Sequence, residues 1–444
     1  MFKISKEYTI RILANPLHTK EILNMGHQNT LFSQTLSLIP RHVFQKLEAR
    51  YKTGRSSRRF GFKEQFAVMA FIQLAARRSM RDGLRCLEAL GTRLYHWGLK
   101  NVARSTFADA NNSRPVGFFK DLFAEMYALC AAKTPKHKFR FKSKLFSLDA
   151  TTISLCLSLF PWASFRQAKG GIKMHSLLDH NGYIPAFVTV TDAKTHEGPV
   201  AKTLELPKGS IVVFDKGFFS YLWFRSLCEK EVYFVTRLKR KTVYTLLERR
   251  PVNRKTGVMS DHIIEVFSAQ RALRLRRIGY RDPESGKRYE FLTNHFHLSA
   301  KTIADVYKDR WQIELFFKEI KQNLRIKSFV GHSENAVLIQ LYTALTTYLF
   351  LKYQKFVSRL GLSVQQLFQL IQVNLLASTT LEELLNPRRR KKENPYNLSL
   401  LSIAALPDNS DYPYITSSSG AALRLSPSQL IKRCTAKRLR SAEE

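Results

Sequence analysis

The hydrophobic period of this chain changes near Phe139, and that change limits its possible folds more than any other feature. From about Phe32 to Lys133 apolar residues recur at helical spacing, through FKEQFAVMAFIQLAARRS, MRDGLRCLEALGTRLYHWGL and on to Ala131. Beyond Phe139, KLFSLDATTISL reads as a strand, and GIKMHSLLDHNGYIPAFVTVTDA as two β-rich runs around Asn181-Gly182, a dipeptide suited to a tight hairpin. A helix over His196 to Leu206 follows, then a short buried strand of the parallel type in SIVVFDKGFF, a helix from Ser220 and the strand VYFVTRL. Three β-runs, helix, strand, helix, strand predict a mixed α/β sheet behind an all-helical N-terminal block.

The rest of the chain divides by composition. Residues 239–297 are strand-like and strongly basic, with RLKRK, ERRPVNRK and RALRLRRIGYR, and are read as an insertion that contacts DNA; the rival is a solvated basic hairpin. Ser333 is placed to cap a long apolar helix to about Phe356, and helices continue to Leu385. The expected organisation is a helical domain over 1–138 that binds DNA ends, a core over 139–238 resumed at 298–386, the insertion at 239–297, and a basic, poorly ordered tail over 387–444. Within the first block, ARSTFADANNSR offers Ser105 as a helix cap with Arg104 and Arg114 at its ends, a pattern shared by helix-turn-helix recognition helices and ordinary bundle helices.

Charge narrows the partner. Seventy-two Lys+Arg against 35 Asp+Glu leave a formal charge of +37 on 444 residues, more than solubility requires, which points to a polyanion. The basic residues are spread along the whole chain, which favours double-stranded DNA over a membrane surface. Five cysteines without CxxC spacing indicate neither a disulfide framework nor a zinc site. The apolar stretch Val337 to Leu351 is too short to span a bilayer, and MFKISKEYTIRIL lacks a signal-peptide core. The expectation is a cytoplasmic protein.

Candidate chemistry lies in YKDRWQIELFFKEIKQN. At about 100° per residue, Tyr307, Arg310, Glu314 and Lys321 would share one narrow strip of a helix. An aromatic hydroxyl, a guanidinium, a carboxylate and an ammonium suit a metal ion flanked by phosphates, or else a solvated face with incidental pairing. Asp149 in its apolar strand and Asp215 at a strand's carboxyl edge add two acids from separate elements; each also has a local reading as a cap, ion-pair or turn residue. Three such oxygen donors can hold two Mg²⁺ ions for phosphodiester chemistry. His175 and His196 read as core or turn histidines sooner than as ligands.

These residues resemble a family. Tyr307, Arg310, Glu314 and Lys321 match the Y-(2)-R-(3)-E-(6)-K signature of the insertion-sequence-four family of DDE transposases, with Asp149 of SLDAT and Asp215 of FDKGFF where that family places its aspartates. The resemblance spans roughly Phe32 to Phe356. It implies an RNase H-like core interrupted by a β-rich insertion, with Asp149, Asp215 and Glu314 as catalytic metal ligands for Mg²⁺, for which Mn²⁺ can substitute. It further implies that Tyr307, Arg310 and Lys321 hold phosphates of the transposon end, and that a synaptic homodimer acts in trans. Family members often flip a base onto an aromatic of the insertion; without a tryptophan there, the candidates are Tyr280, Tyr289 and Phe291. The expected function is a bacterial, nucleoid-associated DNA transposase that binds terminal inverted repeats, cleaves and transfers strands. The alternatives are an RNase H-like nuclease without strand transfer and an inactive DNA-binding regulator.

Overall fold

In a computed structural model of the chain, the described residues are 30–386, apart from 53–59, 78, 167–168, 269–270, 325, 327–328 and 359, together with two short paired strands, Ile415–Thr416 and Ala422–Leu423. The remainder of the tail read above as poorly ordered lies outside them.

Six α-helices are described ahead of the sheet: α1 (Leu31–Leu36), α2 (Arg41–Tyr51), α3 (Phe62–Leu74), α4 (Met80–Ala89), α5 (Arg104–Ser113) and α6 (Val116–Ala131). Helix α3 is buried at every position from Gln65 to Leu74, so it has neighbours all round. One of them is α11 (Glu334–Val357), a 24-residue helix whose N-cap Ser333 accepts the Ala336 N–H. Phe66 of α3 meets Phe350 of α11, and Phe123 of α6 meets Tyr342. The same apolar cluster takes in Ile153, Leu155, Ile172 and Met174 of the sheet. The N-terminal helices therefore share one core with α11 and the sheet, where the sequence suggested a separate module. Two local expectations also change. Helix α5 is capped at Ala103, leaving Ser105 inside it, and Arg114 is half-buried, donating to Gln65 Oε1 at 2.9 Å and to the Gly61 carbonyl.

The sheet is mixed, as expected. Strands β1 (Leu145–Leu155), β2 (Ser164–Arg166), β3 (Lys169–Asp179) and β4 (Ile184–Asp192) pair antiparallel, β3 and β4 turning through Gly182 at φ 67°. After α7 (Glu197–Lys202) come β5 (Ile211–Phe214), α8 (Tyr221–Glu229) and β6 (Tyr233–Arg237), with β1, β5 and β6 parallel. All four residues of β5 are buried: Ile211 and Val213 join Ile303 and Val306 of α9 (Ala300–Asp309), whereas Val212 and Phe214 join Phe224 of α8. Alternation on a sheet covered on both faces explains the continuous apolar run.

The basic segment supplies β7 (Thr245–Arg249), β8 (Val258–Ser268), β9 (Arg271–Arg281) and β10 (Arg288–Thr293), all antiparallel. It does not stand apart. Strand β10 pairs with β6, so the insertion extends the core sheet. Arg276, inside the most basic run, is 2% exposed and forks onto Asp261 through Nε and Nη2 at 2.8 and 2.6 Å, while Nη1 donates to the Leu298 carbonyl at 2.6 Å. It therefore anchors the hairpin and cannot reach DNA. The proposed base-stacking residues fare similarly: Tyr280 and Phe291 are buried and Tyr289 lies half-buried against Phe291, whereas Phe267 stands 65% exposed.

Candidate active site

The register of the parallel pair places the first two acids. Leu148 of β1 aligns with Phe214 of β5, so the residues that follow, Asp149 and Asp215, sit at the same level on neighbouring strands. Buried apolar residues up to that point hold the strands; the acids stand where the pairing ends, at the carboxyl edge where open sheets carry their sites.

Glu314 arrives from α10 (Gln312–Asn323), which α9 precedes. The single straight helix expected for Tyr307 to Lys321 is interrupted at Arg310 and Trp311. Both keep helical backbone angles, but the hydrogen bonds tighten, with Arg310 N–H on Tyr307 O at 3.2 Å and Trp311 N–H on Lys308 O at 3.3 Å. Flanking side chains are drawn to the sheet on both sides of the break. Asp309, 4% exposed, accepts from Tyr183 and meets His180 Nδ1 at 2.8 Å and Lys138 Nζ at 2.6 Å. His180 Nε2 lies 2.6 Å from Ser147 Oγ, two residues before Asp149. This Ser-His-Asp line is closed to substrate, since Ser147 and His180 are both 0% exposed; it fastens the helix break to β1.

Next to Asp309, Arg310 reaches the opposite way. Its Nη1 is 2.8 Å from Asp149 Oδ2 and its Nη2 2.8 Å from Glu314 Oε1, with only 11% of its side chain exposed. The Tyr307 hydroxyl donates to Asp215 Oδ1 at 3.2 Å. Lys321 Nζ donates to Thr151 Oγ1 at 2.5 Å and to the Thr152 carbonyl at 3.0 Å, both on β1. All six residues singled out from sequence thus meet at one edge of the sheet.

The electrostatics follow from crowding acids at a half-buried edge. Burial pushes Asp149 up to about 6, opposed by Arg310 and assisted by Glu314 and Glu197. Burial opposes the Arg310 charge, but Asp149, Tyr307 and Glu314 outweigh it and raise its pKa, so it is a permanent cation. Burial lifts Tyr307 to about 12, which keeps the phenol a donor.

Two residues were missed. Glu197 opens α7, and its carboxylate lies so close to Gly217, two residues after Asp215, that a Cβ there would meet Oε2 at 2.5 Å. Burial raises its pKa, Lys173 at 3.9 Å opposes the shift, and Asp215 adds to it. An acid opening a helix between two candidate strands was a visible signal. Arg237, at the end of β6, lies 5.4 Å from the Tyr307 ring and 5.2 Å from Tyr289. His175 is fully buried against Thr191, with burial lowering its pKa to about 4, and His196 precedes α7 as its N-cap.

Among the described residues, no three His, Cys, Asp or Glu side chains stand close enough to hold one metal ion, and no helix is long and apolar enough to cross a membrane. In this conformation two of the three acids share the Arg310 cation instead.

Comparison with known proteins gives the family. Residues 140–350 match a transposase DDE domain, a span that contains all six site residues. The transposase y4zB of Sinorhizobium fredii is 32% identical over 272 residues, covering 60% of this chain and 75% of that protein. The chain belongs to the DDE transposase family. It is a DNA transposase, and a polynucleotidyl transferase by class. The transposase for insertion sequence element IS5377 of Geobacillus stearothermophilus is 28% identical over 303 residues, 67% of this chain and 78% of the relative. The transposase for insertion sequence element IS4SA of Synechocystis is 28% identical over 260 residues, 57% and 72% of the two chains. Residues 27–100 match a domain of unknown function.

Proposed function

We propose that this transposase binds the terminal inverted repeats of a bacterial insertion sequence as a homodimer, cleaves at their ends and joins the freed 3′-hydroxyl to target DNA. The observation that supports this reading most is the convergence of Asp149, Asp215 and Glu314, from three separate elements, around Tyr307 and Arg310. Their donor chemistry, hard carboxylate oxygens at an edge that already demands positive charge, fits Mg²⁺ or Mn²⁺. Asp149, Asp215 and Glu314 would hold the ions, which when bound activate the attacking oxygen and stabilise the leaving one.

The protein's own groups do the positioning. Tyr307, kept protonated, holds Asp215 by one oxygen and leaves the other without a hydrogen-bond partner among the described residues. Arg310 keeps Asp149 and Glu314 facing one another in the absence of other positive charge, and its guanidinium can fork onto a phosphate when a divalent ion supplies that charge. Lys321, docked on Thr151 next to Asp149, is placed to meet a neighbouring phosphate. Tyr307, Arg310 and Lys321 together form the phosphate clamp of this reading.

The test is an assay on duplexes carrying the DNA that flanks the coding region on each side, with Mg²⁺ and a target plasmid. Products in which flank ends are covalently joined to the plasmid are expected. Cleaved but unjoined ends throughout would make the protein a nuclease, and intact DNA would remove the reading.

A further inference from the structure

The carboxylate edge is unevenly furnished. Asp149 and Glu314 share the Arg310 cation, which holds the two acids as a pair. Asp215 has no such companion among the residues read from the sequence: one of its oxygens accepts the Tyr307 hydroxyl, and the nearest of the other acids are drawn to Arg310. Two divalent ions a few ångströms apart need oxygen donors around both, so the Asp215 side calls for another acid.

Glu197 stands there. Its carboxylate lies over Gly217, two residues beyond Asp215, and its charge is felt at both Asp149 and Asp215. The glycine shows that the place is built. Gly217 has no left-handed φ, so its backbone does not demand glycine. A Cβ added there would meet Glu197 alone, Oε2 at 2.5 Å and Cδ at 3.5 Å, so what the missing side chain provides is room for that carboxylate. The carboxylate is also short of donors. Its side chain is 27% exposed, yet neither oxygen accepts a hydrogen bond among the described residues, and its ion-pair partner Lys173 stands off at 3.9 Å while donating to the Thr195 carbonyl at 3.0 Å. A half-buried carboxylate without close donors is costly, and a divalent cation would relieve it.

We propose that Glu197 is a fourth acid of the carboxylate site and joins Asp215 in holding a divalent ion, with Gly217 supplying the space it needs. Lys173 offsets its charge in the absence of the ion, as Arg310 does for Asp149 and Glu314. The inference rests on the metal-dependent reading above and adds a ligand to it.

The test reads metal as well as chemistry. Full-length protein bound to a pre-cut flank duplex is titrated with Mn²⁺, and the free ion is followed by its electron paramagnetic resonance signal, for wild type, E197Q, G217A, D215N and E205Q, a control that neutralises an exposed acid elsewhere. E197Q should weaken uptake of one Mn²⁺ by about tenfold or more. G217A keeps the charge but pushes the carboxylate aside, so it should weaken uptake in the same direction, while E205Q keeps the wild-type value. The Mn²⁺ concentration for half-maximal cleavage should rise in step in E197Q and G217A, and both should melt with wild type in EDTA. Wild-type uptake in E197Q and G217A, or an equal loss in E205Q, overturns the proposal, as does a loss that appears only together with a lowered melting temperature in EDTA. Uptake lost in D215N but not in E197Q strikes Glu197 alone; uptake unchanged in D215N as well, or absent from wild type, strikes the metal-binding reading of the carboxylates with it.

Discussion

Substituting Arg310 by Ala tests the electrostatic design of the site. The guanidinium contacts Asp149 and Glu314 at 2.8 Å each, with side chains 11%, 20% and 34% exposed. Two unit charges about 4 Å apart attract by roughly 4 kcal/mol at an effective dielectric of 20. Desolvation of Arg310 and Asp149 cancels much of that, and the exposure of Glu314 screens its share, leaving about 1–3 kcal/mol for the pair of contacts. At about 2 °C per kcal/mol for a chain of this size, R310A should melt about 2–6 °C below wild type near neutral pH. The loss should depend on pH with a definite sign. Asp149 already titrates at about 6, above the ordinary carboxylate value, so its ionisation costs stability as pH rises through that range. Without Arg310 the penalty grows, so the two proteins should converge at acidic pH and diverge above 6. Added Mn²⁺ should stabilise R310A more than wild type, because in wild type the acids already have a cation. Melting scans across pH, with and without Mn²⁺, read all three effects. Equal melting temperatures at pH 8 together with equal Mn²⁺ shifts would show that Arg310 does not offset the charge of these acids.

Further outcomes are specific. D309N removes a charge held at 1% exposure by His180 and Lys138 and should cost about 2–4 kcal/mol, measured by denaturant unfolding; a loss below half a kcal/mol would show that the Ser147-His180-Asp309 line does not fasten the helix break. Burial depresses both His175 and His295 to about 4, so the unfolded chain takes up protons first as pH falls below about 6.5; each contributes up to about 3 kcal/mol that is lost between 6.5 and 4, and H175Q should flatten that acid slope in melting scans. K321A should weaken binding to pre-cut ends several-fold in gel-shift assays while leaving the Mg²⁺ dependence of cleavage unchanged; a shifted Mg²⁺ requirement with unaltered DNA affinity would place the lysine in support of the acids.

Much of the site was legible because its residues carry local signals. Asp149 and Asp215 each follow a buried apolar run, and strand ends are where a sheet exposes polar groups. Glu314 shares a helical stretch with Tyr307, Arg310 and Lys321, so their common side could be read from spacing. The break at Arg310–Trp311 could not, since no glycine or proline marks it; it follows from Asp309 and Arg310 being held by partners far away in sequence, Lys138 and His180 on one side and Asp149 on the other. The burial of Arg276 was hidden for the same reason, its Asp261 partner lying one strand away in a run that composition alone paints as DNA-facing. The N-terminal helices looked independent because α11, which completes their core, lies some two hundred residues later.

If Asp149, Asp215 and Glu314 act as one catalytic set, comparing D149N, D215N and E314Q with wild type for Mg²⁺-dependent cleavage and for affinity toward the same flank DNA shows it directly. Each variant should lose cleavage by several orders of magnitude while binding the DNA within a few-fold of wild type, because only the ligands of the reacting site are changed. Cleavage retained in any one of the three, most tellingly in D215N, would contradict the claim and remove that residue from the site.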